Sequence, residues 1–308
     1  TLNIENTHEY YLKANNLNEK GKDLYRTLVN HYTASIDNYN KPIEWSNKIS
    51  TELSEEEMTN VLITFLYDYK VFFWLTGKLR YDISKIPALD VVNYTFHFGI
   101  LEIYQDPVVF KKDLEEIIIN REKIKNLVDE QKNTYDKIKV IHDWLLENNN
   151  YNRSGEESHT PVGALVSRFD PVCEAYAEAF LMIANYVNIK AVYGTGMASN
   201  QSGTEAHAWN YVYVYDKYYF LDVTWDKPVN SPIINYTYFL TDIPDTHVRD
   251  ATEVLPQPFT TSKYKKATLV EFDVVSNYYY ERTGTPIKGY ESVKVVGNPL
   301  IEVTVEYY

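Results

Sequence analysis

The chain contains one cysteine, Cys173, in the run Asp170-Pro171-Val172-Cys173-Glu174-Ala175-Tyr176-Ala177-Glu178-Ala179-Phe180. Downstream lie His207-Ala208-Trp209-Asn210 and Leu221-Asp222-Val223-Thr224-Trp225-Asp226. A thiol, an imidazole and a carboxylate in that order are the parts of a nucleophilic site: sulfur attacks, the ring carries the proton, the carboxylate orients the ring. One cysteine cannot close an internal disulfide or build a multi-cysteine metal cage. A free thiol is only a few per cent thiolate at neutral pH, and two surroundings favour the thiolate: a helix N-terminus and an adjacent imidazole.

The elements that must position these groups can be read from apolar spacing. Asp170-Pro171 marks a turn. Ala175, Ala179, Met182, Ile183 and Tyr186 then recur at helical intervals, so a helix is expected from about Cys173 to Asn188, with the thiol at its start. A short strand is expected over Ile189 to Tyr193, stopped by Gly194 and Gly196, and then a polar loop over 197–205. Two β-rich runs, 208–215 and 218–223, read as a hairpin turning at Asp216-Lys217, with His207 at its entry and Asp222 at its exit. The two ends of a hairpin are neighbours in space, so Asp222 can hold one nitrogen of His207 and turn the other toward sulfur. The backbone N–H of Cys173 is one natural donor to an oxyanion.

Upstream, a helical region is expected over residues 1 to about 130. Ser54-Glu55-Glu56-Glu57 is a capping box ahead of Met58, Val61, Leu62, Phe65 and Leu66, and Phe72-Phe73-Trp74-Leu75 ends that stretch before Gly77. Leu89 to Tyr104 is β-branched and aromatic and reads as strand. A long helix follows Asp106-Pro107 with Leu114, Ile117, Ile118, Ile124 and Leu127 on one side, and a second, from Thr134, carries Ile138, Ile141, Trp144 and Leu145. Alternation over 267–280 and 291–307 suggests a small β-rich end. The expected division is 1–130, 131–258 and 259–308.

The chain has 308 residues, 44% of them hydrophobic, enough for a packed core. Its formal net charge of -13 argues against electrostatic binding to nucleic acid. No apolar run reaches the ~18–20 residues of a membrane span. The 29 tyrosines suit extracellular recognition surfaces, although a compositional habit of the host explains them more simply.

Each chemical residue also has a plainer use. A lone buried cysteine is usually a small hydrophobe, a lone histidine at a strand start is usually structural, and Asp222 and Asp226 could serve turns. The three groups in order, on matching elements, outweigh those uses. Glu174 and Glu178, four apart on a helix, read as a solvated face. No His-x-x-x-His or Cys-x-x-Cys spacing occurs, so no metal and no cofactor is expected.

Over about 134–250 the chain resembles the transglutaminase-like superfamily, a papain-related Cys-His-Asp fold. The resemblance rests on Ile141-His142-Asp143-Trp144-Leu145 with Tyr151, on Gly163-Ala164-Leu165, on Val172 to Phe180, on His207 to Asn210, on Asp222 to Asp226, and on Tyr238-Phe239-Leu240 with His247. It implies an α+β fold: a nucleophile helix packed on an antiparallel sheet, preceded by a helical extension and followed by a small β-rich unit. It implies Cys173 as nucleophile, His207 as acid/base and Asp222 as orienting carboxylate, with Trp209, Trp225 and Tyr176 as candidates for the substrate groove. His142 is expected to hold its helix in place. Ala175 departs from the family, which often has glycine there. The implied activity is thiol-dependent acyl transfer on protein or peptide amides, by hydrolysis or by cross-linking. The implied setting is secreted or cell-surface, with a cell-surface or cell-wall partner for the flanking regions. A scaffold that keeps the fold and binds without catalysis is the alternative.

Overall fold

The computed structural model describes residues 2, 4, 6–36, 46–50, 53–86, 91–153, 155–229, 231–251, 253–264, 293–295 and 301–303. Two compact units divide the chain, Thr1–Lys263 and Tyr264–Tyr308.

The N-terminal part of the first unit mixes helix and sheet. Helices α1 (Tyr10–Ala14), α2 (Glu19–Ile36) and α3 (Glu55–Asp68) accompany a three-stranded antiparallel sheet in the order β1-β3-β2, built from β1 (Ser46–Ser50), β2 (Leu75–Ile86) and β3 (Val91–Ile100). The capping box forms: Ser54 Oγ accepts from Glu57 N at 3.3 Å and Glu57 Oε2 accepts from Ser54 N at 2.8 Å. The helix ends earlier than its apolar run suggests. Tyr69 to Trp74 leave the helical path, and Leu75 to Ile86 form a strand in which Gly77 is an interior residue rather than a stop. The aromatics that imitate a continuing helix pack as a cluster in which Phe65, Tyr69, Phe72, Phe73 and Trp74 stack on one another and on Phe110. Burial, not helical periodicity, accounts for that run.

Helices α4 (Pro107–Asp129) and α5 (Thr134–Glu147) form as their spacing predicts, each started by a side-chain cap, Asp106 onto Val108 N at 2.8 Å and Asn133 onto Asp136 N at 2.9 Å. Leu114, Ile117 and Ile124 are buried, whereas Leu127, expected on the same side, is 41% exposed. After the short helix α6 (Pro161–Leu165), helix α7 (Cys173–Tyr186) runs through the middle of the unit. Every residue from Ala175 to Asn185 on α7 is buried, Glu178 and Asn185 included, so the helix is enclosed on all sides rather than along one apolar stripe. Each of its fully buried large apolar side chains contributes ~1.5–3 kcal/mol.

Helix α7 packs on a four-stranded antiparallel sheet in the order β6-β5-β4-β7, made of β4 (Ala191–Asn200), β5 (Gly203–Val214), β6 (Lys217–Leu221) and β7 (His247–Arg249). The expected strand over 189–193 and polar loop over 197–205 are therefore corrected. They form one long hairpin paired from Ala191↔Val212 to Asn200↔Gly203, and His207 lies within β5, opposite Gly196. The polar residues belong to the exposed end of a regular ladder, which composition alone reads as loop. The next turn is Tyr215-Asp216, both at positive φ (40° and 68°), one residue before the expected position.

The two glycines expected to end β4 instead let its neighbours approach. A Cβ on Gly194 would meet Trp209 Nε1 at 2.7 Å, and one on Gly196 would meet the Val248 carbonyl oxygen at 2.1 Å. In the second unit, β8 (Val293–Val295) pairs antiparallel with β9 (Ile301–Val303), and 267–280 lies outside the described residues.

Gly196→Ala places a methyl inside a backbone contact and forces β7 away from β4. It should destabilise the first unit by about 1–3 kcal/mol, read from the urea midpoint at unchanged slope. An unchanged midpoint would show that β7 is not packed as described.

Candidate active site

Cys173 is the first residue of α7. Residue Val172 before it offers no side-chain cap, so the free N–H groups of the first turn stand at the sulfur's own end of the helix. Backbone bonds hold this entry: Val172 N donates to Ser158 O at 3.0 Å and Asn152 N to Pro171 O at 3.1 Å. Gly163 of α6 comes close to Ala175, where a Cβ on the glycine would lie 3.2 Å from the alanine methyl. The glycine that permits close packing therefore stands at 163, facing the methyl of Ala175. The thiol is buried, with 8% of the residue exposed.

His207 and Asp222 meet across the hairpin. Leu221 is the last residue of β6, paired with Asn210, and Asp222 follows it directly. His207 Nε2 donates to Asp222 Oδ2 at 2.8 Å, and both side chains are 1% exposed. A carboxylate only accepts, so the tautomer is set: the proton on Nε2 belongs to this bond. His207 Nδ1 is buried without a hydrogen-bond partner. The nitrogen left for sulfur is thus Nδ1. Burial works against the charged ring, but the Asp222 carboxylate, its hydrogen bond and Cys173 outweigh it and raise His207 to about 10. Burial likewise opposes the Asp222 anion, and the His207 charge and the bonds from His207 and His247 overcome it, holding the carboxyl at about 2.

Asp222 is held from several sides. Its Oδ1 accepts from Trp225 N at 3.2 Å, its backbone N donates to Tyr238 O at 3.2 Å, and its Oδ2 takes a second imidazole, His247 Nε2, at 3.2 Å. The three donor atoms of His207, Asp222 and His247 lie within 4.8 Å of one another, close enough for a shared cation; here the two rings donate their protons to the carboxylate. Sequence reading noted His247 only as part of a family pattern and left Asn210 without a role. Asn210, fully buried, donates from Nδ2 to Ala177 O at 3.0 Å and so fastens the histidine strand to the cysteine helix. The available signal is a polar side chain inside the otherwise apolar and aromatic run Ala208–Val214.

Asp226 belongs to a different pair. Its Oδ2 accepts from His142 Nε2 at 3.2 Å and its Oδ1 from Tyr238 N at 2.8 Å, while His142 Nδ1 faces Asp143 Oδ1 at 2.9 Å. With carboxylates at both nitrogens, His142 is drawn toward its doubly protonated form. Burial opposes this charge, and the two carboxylates raise the imidazole above its usual value. His142 ties α5 to the turn at 224–226 behind Asp222.

The other candidates separate. Trp225 lines a cavity of about 330 Å³ together with His207, Tyr151, Glu205, Tyr238 and Val229. Trp209 and Tyr176 are 1% and 2% exposed and line neither this cavity nor a second one of about 390 Å³ between Tyr67, Lys70, Glu174, Glu178 and Tyr193. Trp209 packs behind the His207 ring, 6.2 Å between centroids, over Gly194. Of the expected solvated face, Glu174 keeps a side chain 44% exposed, whereas Glu178 does not belong to it. Glu178 is buried and paired with Lys70 at 2.7 Å, burial raising it to about 6, and Glu174 pairs with His159. The N-terminal segment covers this side of α7, which the helix alone does not reveal. Tyr11 Oη also donates to Tyr193 O at 2.5 Å.

Residues 121–223 match the family model of the Transglutaminase-like superfamily, and this region carries a transglutaminase-like core. The match takes in Cys173, His207 and Asp222. No curated protein matches the chain. Among solved structures, it is similar to a TGase at 15% identity and TM-score 0.30, over 70% of this chain and 56% of that one. It is similar to a protein of Cytophaga hutchinsonii named "Putative Cysteine Protease" at 15% identity and TM-score 0.30, over 60% and 68%. It is also similar to the periplasmic domain of TgpA from Pseudomonas aeruginosa at 14% identity and TM-score 0.29, over 44% and 54%. The chain thus spans little more than half the length of the first and third of these.

His142→Ala leaves the buried Asp226 carboxylate without its imidazolium and should cost about 3–5 kcal/mol. Because the folded-state pKa of His142 is raised, its contribution is complete below the unfolded value near ~6.5 and is lost as pH rises through the folded value. Urea unfolding should therefore show a large gap between wild type and variant at pH 6 that narrows in alkali. A gap that widens with pH would contradict the pairing.

Proposed function

We propose that the chain with this transglutaminase-like core is a thiol-dependent acyl-transfer enzyme that acts on amides of proteins or peptides through a thioester at Cys173. The observation that carries this reading is the His207 ring, fixed at Nε2 by Asp222 at 2.8 Å and with Nδ1 left for the thiol. That is the geometry a proton carrier needs: one nitrogen committed to an anion, the other open to the reacting groups.

In the proposed cycle the Cys173 proton already rests on His207 Nδ1, and the thiolate attacks the amide carbonyl carbon. The oxyanion forms at the N-terminus of α7, where the Cys173 N–H is a donor. The imidazolium then returns its proton to the amide nitrogen, the C–N bond breaks, and ammonia or an amine leaves. The acyl group now sits on sulfur as a thioester. Water or a primary amine attacks it, giving its proton to Nδ1. As the C–S bond breaks, sulfur leaves as the thiolate, the proton stays on Nδ1 and the resting pair is restored. Throughout, Asp222 stays ionised and stabilises the imidazolium.

The cavity beside His207 is the proposed place for the substrate chain next to the scissile amide, with Trp225, Tyr151 and Tyr238 as apolar walls and Glu205 at its edge. Trp209 and Tyr176, buried, are proposed to support the site from behind. A secreted or cell-surface setting is part of the same proposal. Among the described residues no helix is long and apolar enough to cross a membrane.

A glutamine-containing peptide mixture offered with and without a fluorescent primary amine separates the outcomes by ammonia release, peptide cleavage and amine incorporation. Wild type should produce at least one of the three. Cys173→Ala should abolish it, and His207→Ala should lower it by ~10²–10⁴-fold. Activity retained in full by Cys173→Ala would overturn the reading.

A further inference from the structure

Asp222 Oδ2 is shared by two buried imidazoles, and the chemistry above uses only one. His247 Nε2 reaches it at 3.2 Å, on the same oxygen that receives His207 Nε2 at 2.8 Å. The side chain of His247 has no solvent exposure. Its ring is enclosed by Trp225, Phe220, Trp209 and Tyr238, with centroids 4.6, 4.9, 5.3 and 5.6 Å away. Its other nitrogen, Nδ1, meets Thr246 Oγ1 at 3.0 Å. A hydrophobic side chain would fill this cage at no polar cost, so a histidine there, aimed at the carboxylate, has a polar task.

The backbone that presents it is fixed on both sides. Strand β7 pairs with β4 from Ala198↔His247 to Gly196↔Arg249. Thr246 O accepts from Ser199 N at 2.9 Å, His247 N donates to Pro244 O at 2.9 Å, and Asp250 N donates to Thr195 O at 3.1 Å. The donor therefore comes from the edge of the sheet and from a segment beyond the matched core region, which ends at residue 223.

We propose that His247 is a positioning residue: its Nε2–H is a second donor to Asp222 Oδ2 beside that of His207, a clamp keeping the carboxylate ionised and in the orientation that directs His207 Nδ1 at Cys173. This rests on the thiol reading of the site. The titratable groups that act on the Asp222–His207 pair are His247 on β7, Cys173 from α7, Asp226 from the following turn and Tyr238 from the next segment. Without the clamp, Asp222 loses one of its two imidazole donors in a buried place and takes up a proton more readily. The pair that draws the proton from sulfur then fails at a higher pH.

The rate of Cys173 alkylation by iodoacetamide, measured on the full chain from pH 4 to 10, tests this without a known substrate. Three variants are needed: His247→Leu, which fills the cage without a donor; His247→Asn, whose amide nitrogen reaches only as far as Nδ1; and His247→Gln, whose amide nitrogen stands at the place of Nε2. Leucine and asparagine should raise the pH of half-maximal alkylation by about one unit and lower the rate at pH 6 by about tenfold. Glutamine should retain the wild-type profile. If the leucine variant does not fold, the asparagine and glutamine pair decides the matter. Folded asparagine and leucine variants with an unchanged profile, or a glutamine variant as impaired as asparagine, would overturn the clamp while leaving the thiol reading intact. A wild-type thiol no faster than a cysteine peptide would remove the thiol reading, and the clamp with it.

Discussion

The bond between Asp222 and His207 is the constraint to which the rest of the first unit answers. Both groups are buried, and neither would hold its charge there without the other. Three separate pieces of chain must therefore arrive together: the middle of β5, the residue after β6, and the start of α7. Asn210 fastens β5 to α7, and the Tyr238 carbonyl and the Trp225 N–H fix the backbone and the second oxygen of Asp222. Behind that turn, His142 joins Asp226 to Asp143, so a second buried imidazole secures the segment that carries the first carboxylate. Buried charges are arranged in layers, each layer satisfied by the next.

The N-terminal region takes part in the same packing. Tyr11 lies in the apolar cluster with Val192, Trp209, Tyr211, Tyr218 and Phe220, on the sheet that carries His207. Lys70 reaches Glu178 on α7 and lies over the Tyr193 ring at 4.1 Å. The cavity of about 390 Å³ on that side is walled partly by this region and partly by the core. The same tyrosines that seem on composition to suit a surface are in large part interior: Tyr25, Tyr32, Tyr104, Tyr176 and Tyr211 are among the largest fully buried side chains.

Local signals made some of this legible in the chain. The helix start at Cys173, the capping box at Ser54 and the Asp106-Pro107 helix start all follow from short-range chemistry, and the structure shows each. The α+β arrangement of a helix on an antiparallel sheet follows instead from the resemblance to the transglutaminase-like superfamily, not from local signals. What could not be read depends on contacts distant in sequence. Gly194 and Gly196 look like stops until Trp209 and β7 are seen pressing against them. Residues 197–205 look like loop because their polarity reflects an exposed ladder end. Phe72 to Leu75 continue a helical pattern only until the aromatic cluster that buries them is assembled. His247 lies 25 residues beyond Asp222, and nothing local indicates that its ring returns to the same oxygen.

The most direct measurement of the central interaction is the protonation of His207, by ¹⁵N and ¹H NMR of the histidine side chains from pH 5 to 10. With the ring charged by Asp222 and Cys173, both nitrogens of His207 should carry protons at pH 7. The Nε2 proton should be strongly deshielded by the carboxylate. Asp222→Asn should return the ring to the neutral form at that pH. A neutral His207 at pH 7 in the wild type, or a ring indifferent to the loss of the Asp222 charge, would contradict the arrangement on which the site is built.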